Sequence, residues 1–115
     1  YDTGSGSVAA ASGNVCYYYT LDGYKNNQVT SDLSDSVEIG AGVLKSAPTD
    51  GQYCWIQIKG VATLTTALTA GADGDPLTPT GSSDGTLDVS AGVTDNVCAI
   101  AGDISDKEVV CDFPF

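Results

Sequence analysis

Apolar and polar residues alternate most clearly between Gly51 and Gly60. Cys54, Ile56 and Ile58 fall on one side of an extended chain, and Tyr53, Trp55, Gln57 and Lys59 on the other. A period of two marks a strand with one buried face, so this stretch predicts a strand in the middle of a sheet. The period continues from Val61 to Thr69, where Leu64 and Leu68 oppose Val61, Thr63 and Thr65. Threonine favours a pleated surface over a helix, which argues against reading the two leucines as one helical face. Further strands are predicted at Val15 to Thr20, at Val37 to Ile39 and at Val43-Leu44, the last folding back on Tyr53 to Ile58 through the Ala47-to-Gly51 turn. Leu77 to Thr80 reads as an edge strand because of its prolines, and Thr86 to Val89 as a strand with Leu87 and Val89 facing in.

The chain closes on a predicted hairpin of Val97 to Ala101 with Glu108 to Phe113. A four-residue loop at Asp103 to Asp106 pairs Gly102 with Lys107, Ile100 with Val109 and Cys98 with Cys111, which turns Ile100 and both cysteines inward. Tyr24 to Ser36 has no helical period and reads as an excursion, with a short edge strand near Gln28 to Thr30; Leu21-Asp22-Gly23 before it is a turn. Short strands between glycine and aspartate turns predict an all-β fold, a small single-domain β-barrel or sandwich with a terminal β-hairpin. Residues 1–12 are small and polar and read as a flexible N-terminal arm on a barrel-like domain, 13–115.

The length of 115 residues allows one modest core. Charge narrows the partners: 15 acidic residues face 4 lysines, with no arginine or histidine, for a net charge of -11. Such a chain repels phosphate backbones and anionic bilayers, so neither nucleic acid nor membrane is an expected partner, and no apolar run is long enough for a spanning helix. Without histidine no Ser/His/Asp or Cys/His set can be assembled, and no phosphate-cradling glycine loop occurs. Asp73 with Asp75, or Asp84 with Asp88, offers carboxylates for a hard cation, but Asp-Gly turns account for them. The chain reads as a non-enzyme without a cofactor.

Four cysteines, Cys16, Cys54, Cys98 and Cys111, are too widely spaced for a CxxC metal clip. They are candidates for two disulfides of an oxidising exterior or for small core residues. The hairpin register selects Cys98 with Cys111 and leaves Cys16 with Cys54.

Read in order, "SVAAASGNVCYYYTLDG", "IGAGVLKSAPTDGQYCWIQIKGVATL", "GDPLTPTGSSDGTLDV" and "NVCAIAGDISDKEVVCDFPF" resemble the small β-rich head-decoration (cement) proteins of tailed bacteriophages. Gly51, Tyr53, Trp55, Ile56, Gln57 and Gly60 match the aromatic strand of that family, and Gly85, Thr86 and the Ile100-to-Phe113 hairpin its closing half. Cys54 departs from the pattern, which more often has glycine there. The resemblance implies a structural virion protein on the outer capsid surface, a homotrimer bound to the major capsid protein. On that reading Tyr17, Tyr19, Tyr24, Tyr53 and Trp55 are subunit contacts, and Tyr1, Asp2, Thr3 and Val8 of the arm touch the shell. Two alternatives are a glycan-binding domain of a phage fibre or adhesin, and a filament subunit whose Tyr1-to-Ser12 segment adds a strand to the next copy.

Overall fold

The computed structural model describes residues 1–20, 23–92 and 94–114, with Tyr24 described by its backbone alone. The Leu21-Asp22 part of the predicted turn and the Tyr24 side chain therefore lie outside the described residues. The expected all-β domain is present as two antiparallel sheets with a half-barrel curl. The first sheet takes β1 (Val15–Tyr19), β2 (Val29–Thr30), β3 (Ser36–Leu44) and β4 (Ile56–Gln57) in the order β2-β1-β3-β4. The second takes β5 (Lys59–Thr63), β6 (Pro76–Thr78), β7 (Asp88–Val89), β8 (Ala99–Asp103) and β9 (Glu108–Asp112) in the order β5-β9-β8-β6-β7. One helical turn, α1 (Gly23–Asn26), precedes β2.

Strand β1 organises the packing because it is apolar on both faces. Val15 and Tyr17 enter the core between the sheets with Val43, Leu77, Leu87, Val109 and Phe113. Cys16 and Tyr18 point the other way, into a second cluster with Tyr1, Val29, Ala41 and Leu44. Its partner β3 is one strand where two were expected. The register slips between Cys16 and Tyr17 and again before Tyr19, and Glu38 adopts a left-handed φ of 56°. Such bulges re-aim side chains: Ala41 and Leu44, three residues apart, both enter the second cluster.

The second cluster is roofed by the N-terminal segment, which was expected to be loose. The Tyr1 amino group donates to the Gln52 carbonyl at 2.7 Å, its hydroxyl to Val8 O at 2.9 Å, and Asp2 N–H to Val29 O at 2.9 Å. Aspartates clasp the rest: Thr3 N–H donates to Asp50, Ser5 N–H to Asp35 and Gly6 N–H to Asp32. Amide donors of an open segment are satisfied by carboxylates, of which Asp50 is exposed, Asp35 half-buried and Asp32 buried.

Asp32 also accepts from Ser34 N–H and Oγ, and the Ser34 hydroxyl, followed by the Gly6 and Ser34 amides, holds its carboxyl below the ordinary value of 3.8. A depressed carboxylate stabilises the fold above its ordinary pKa, and that contribution fades as pH falls through 3.8 and below. Asp32→Ala is expected to cost about 1–3 kcal/mol at pH 7. Hydrogen exchange should show residues 4–8 losing protection in the variant while β1 keeps it; equal protection of the strap in both proteins would contradict the clasp.

Three strand expectations change. The Tyr53-to-Ile58 stretch is not central: only Ile56-Gln57 pairs, with Leu44 and Val43, and β4 is the edge of its sheet. The hairpin with Val43-Leu44 is present as expected. Strand β6 lies inside its sheet, because Pro76 opens the strand and Pro79 follows it, so neither removes an interior ladder donor. The terminal hairpin forms one residue out of the expected register, pairing Ala99 with Cys111, Ile100 with Val110 and Ala101 with Val109. Asp103 caps the loop through Ser105 N–H and Oγ, Lys107 takes a left-handed φ of 57°, and Gly102 is the extra residue of a bulge. A one-residue slip exchanges faces, so Ala99 and Ala101 face the core and Ile100 faces water.

Candidate functional site

The N-terminal strap covers only part of the outer face of the first sheet. Beside it opens a cleft of about 530 Å³ floored by Tyr18, Val29, Cys54 and Ile56. Its rim is Tyr1, Asn26, Asn27 and Tyr53. Asn26 ends helix α1 beside it, and Asn27 follows at a left-handed φ of 54°, a conformation asparagine tolerates. None of these side chains is a carboxylate, an ammonium or a guanidinium. Burial pushes the Tyr1 and Tyr18 phenols up, so both stay neutral across the physiological range. The chemistry on offer is ring faces, hydroxyls and amides, suited to binding rather than to proton transfer.

Tyr53 is fully exposed and Trp55 is 83% exposed, two residues apart in the segment that leads into the edge strand β4. Both lie between two glycines of positive φ, Gly51 and Gly60. The alternation leaves the Tyr53/Trp55 face open to packing or to a partner; the segment before the short β4 gives Trp55 little to pack on. Lys45 N–H donates to Trp55 O at 3.0 Å, which fixes the backbone and turns the indole outward.

The other expected contact residues separate. Tyr17 has no exposed surface; its ring is in the core and its hydroxyl is held by Ser83 and Thr86. It therefore reaches no partner. Tyr19 is half-buried beside an acidic patch, its phenol pushed up chiefly by the Asp2 carboxylate, with burial, Asp35, Asp32 and Asp50 adding. Tyr1 is buried under the strap, and Asp2, Thr3 and Val8 are half-buried and bonded within the chain. Of the strap, Ser5 to Ser7, Ala9 and Ser12 are exposed.

All four cysteines are free thiols in the structure, so neither expected disulfide is formed. Their partition nonetheless follows the expected pairs. Cys98 and Cys111 share the main core, and Cys16 shares the second cluster with Cys54. Burial pushes Cys98 to about 12, with Cys111 adding, and Cys111 to about 11, which keeps both thiols protonated and unreactive near neutral pH. The aspartates considered for a cation serve turns and caps: Asp73 accepts from Ile104 N–H, Asp75 from Ala72 N–H, Asp84 from Leu33 N–H and Asp88 from Val89 N–H. Among the described residues no cluster has a metal-binding arrangement, and no helix is long and apolar enough to cross a membrane.

Sequence reasoning missed Asn26 and Asn27, which look like loop filler until α1 places them beside Tyr53. It also missed the row of exposed apolar residues Val61, Ile100 and Val110 on the second sheet, because the expected hairpin register turns Ile100 inward and so breaks the row. No known protein family, curated protein or solved structure matches the chain.

Proposed function

We propose that this chain is a structural protein of a virus particle, a decoration protein that binds the outer surface of an icosahedral head as a trimer and stabilises it. The observation that carries the reading is the outward display of Tyr53 and Trp55 just before the edge strand β4, within the run that resembles the head-decoration family. Large aromatics left free by a small domain with a well-filled core favour a partner. An acidic, tightly turned all-β unit fits repetition over a shell, where many modest contacts sum through multivalency.

The test is the copy number of the chain against major capsid protein in purified particles, by quantitative mass spectrometry, with Trp55→Ala as the companion variant. A simple stoichiometric ratio supports the reading, and absence of any capsid protein removes it. Because Trp55 makes so little contact with its own domain, Trp55→Ala should change folding stability by no more than about 0.5 kcal/mol. It should weaken self-association by roughly tenfold or more if the indole is an interface anchor.

One observation favours a second reading, a glycan-binding domain of a fibre. The uncharged cleft joins an exposed tyrosine ring to paired amides, groups that stack on a sugar face and hydrogen-bond its hydroxyls. A handful of copies per particle, with neutral-glycan binding lost in Tyr53→Ala, would move the assignment there.

A further inference from the structure

The outer face of the second sheet breaks its own alternation along one line. Val61 on β5 lies opposite Val110 on β9, Val110 opposite Ile100 on β8, and Ile100 opposite Pro76 on β6. Val61 is 58% exposed, Val110 42% and Ile100 40%, and Pro76 is also exposed. Strands lie about 4.8 Å apart, so four residues in register make an apolar stripe roughly 14 Å long. A sheet with one wet face normally carries polar residues there. The rows on either side do: Lys59 pairs with Asp112, and Thr63 lies across from Glu108.

From this geometry we infer that the stripe is a docking face for a protein surface bearing an apolar ridge with a basic rim. Charge selects the occupant. The stripe is bordered by Asp112 and Glu108, with Lys59 engaged to Asp112, on a chain of net charge -11 without arginine. Two copies meeting face to face would bring together two chains that each carry a net charge of -11. A partner supplying lysine or arginine meets the same rim favourably. Docking is by face and not by strand addition, because the free edge of β5 is already capped: the Gln57 amide donates to Lys59 O at 2.9 Å and to Val61 O at 2.8 Å. The inference rests on the capsid reading for the identity of the partner, the outer surface of the shell. It moves shell contact from the strap, which the domain itself holds, to the second sheet.

The experiment is rebinding of the purified chain to decoration-stripped shells of its source particle, by co-sedimentation at low and high salt, beside sedimentation velocity of the chain alone. Wild type should bind, more weakly at high salt. Val110→Glu should bind roughly tenfold or more weakly with its oligomeric state unchanged, and Asp112→Lys should weaken binding also. Val110→Thr keeps the β-branch, so it retains the fold and gives an intermediate loss should the glutamate variant fail to fold. If wild type and all the Val110 variants bind shells alike, the stripe is not the docking face although the capsid reading stands. If Val110→Glu or Val110→Thr dissociates an oligomer of the chain alone, the occupant is a second copy and the inference fails. If wild type does not bind shells at all, the capsid reading and this occupant fall together.

Discussion

Tyr17→Phe is expected to destabilise the domain by about 1–3 kcal/mol and lower Tm by about 4–12 °C, although the ring keeps its shape and no cavity opens. The cost is polar. The Tyr17 hydroxyl crosses the core to the loop between β6 and β7, where it accepts from Thr86 N–H at 3.0 Å and reaches the carbonyls of Ser83 and Thr86. Thr86 is itself buried, and its own hydroxyl is committed to Ala67 O at 2.9 Å. Without the phenol, Thr86 N–H keeps only a longer approach to Ser83 O at 3.4 Å. A buried donor left short of a partner loses more than an ordinary hydrogen bond contributes. Tyr17→Ala adds the cavity and should cost about 3–5 kcal/mol.

The pH dependence separates this account from simple packing. Burial pushes the Tyr17 phenol well above its ordinary value of 10.0. A group raised on folding contributes stability that is whole below its ordinary pKa and is lost as pH rises through and beyond it. The wild type should therefore lose stability above pH 10 faster than Tyr17→Phe does, and the two urea midpoints should converge. A phenylalanine variant as stable as wild type at pH 7, with a parallel alkaline profile, would show that the pin contributes nothing.

The same tyrosine shows how far the sequence could be read. Val15 to Tyr19 is plainly a strand by residue type, but an unbroken apolar run does not reveal that both its faces are buried. Only the placement of Tyr1 and Ala10 over Cys16 and Tyr18 makes the strand central and the arm a roof. Hydrogen bonds from backbone amides of small residues to Asp32, Asp35 and Asp50 leave no periodic trace, so residues 1–12 read as loose. The hairpin of β8 and β9 was legible as a hairpin. Its register was not, because Asp103 acts as a cap and Gly102 as a bulge, two roles a loop-length argument cannot separate. That single slip hid the apolar stripe by turning Ile100 inward on paper. Tyr53 and Trp55 were legible as contact candidates because their alternation survives even where only two residues of β4 pair.

Gly40→Ala should cost about 1–3 kcal/mol, for a reason confined to one contact. Gly40 has no positive φ, so its backbone accepts an L side chain. A Cβ there would lie 2.7 Å from Phe113 Cε1, 2.9 Å from Phe113 Cδ1 and 2.9 Å from Cys98 Sγ. The Phe113 ring is completely buried in the core that joins β1 and β3 to β8 and β9, so it has no water-filled space to retreat into. Phe113→Leu removes ring volume from the place where the methyl would go, and by itself should cost about 1–3 kcal/mol through lost burial. In the double variant the methyl occupies part of that space. The two losses should therefore add to less than their sum by about 0.5–3 kcal/mol, read from urea titrations with unchanged m-values. Strict additivity would mean that the close approach of β3 to the terminal hairpin is relieved by backbone movement instead of being held by the ring. The contact would then no longer explain why a glycine stands at the centre of the longest strand.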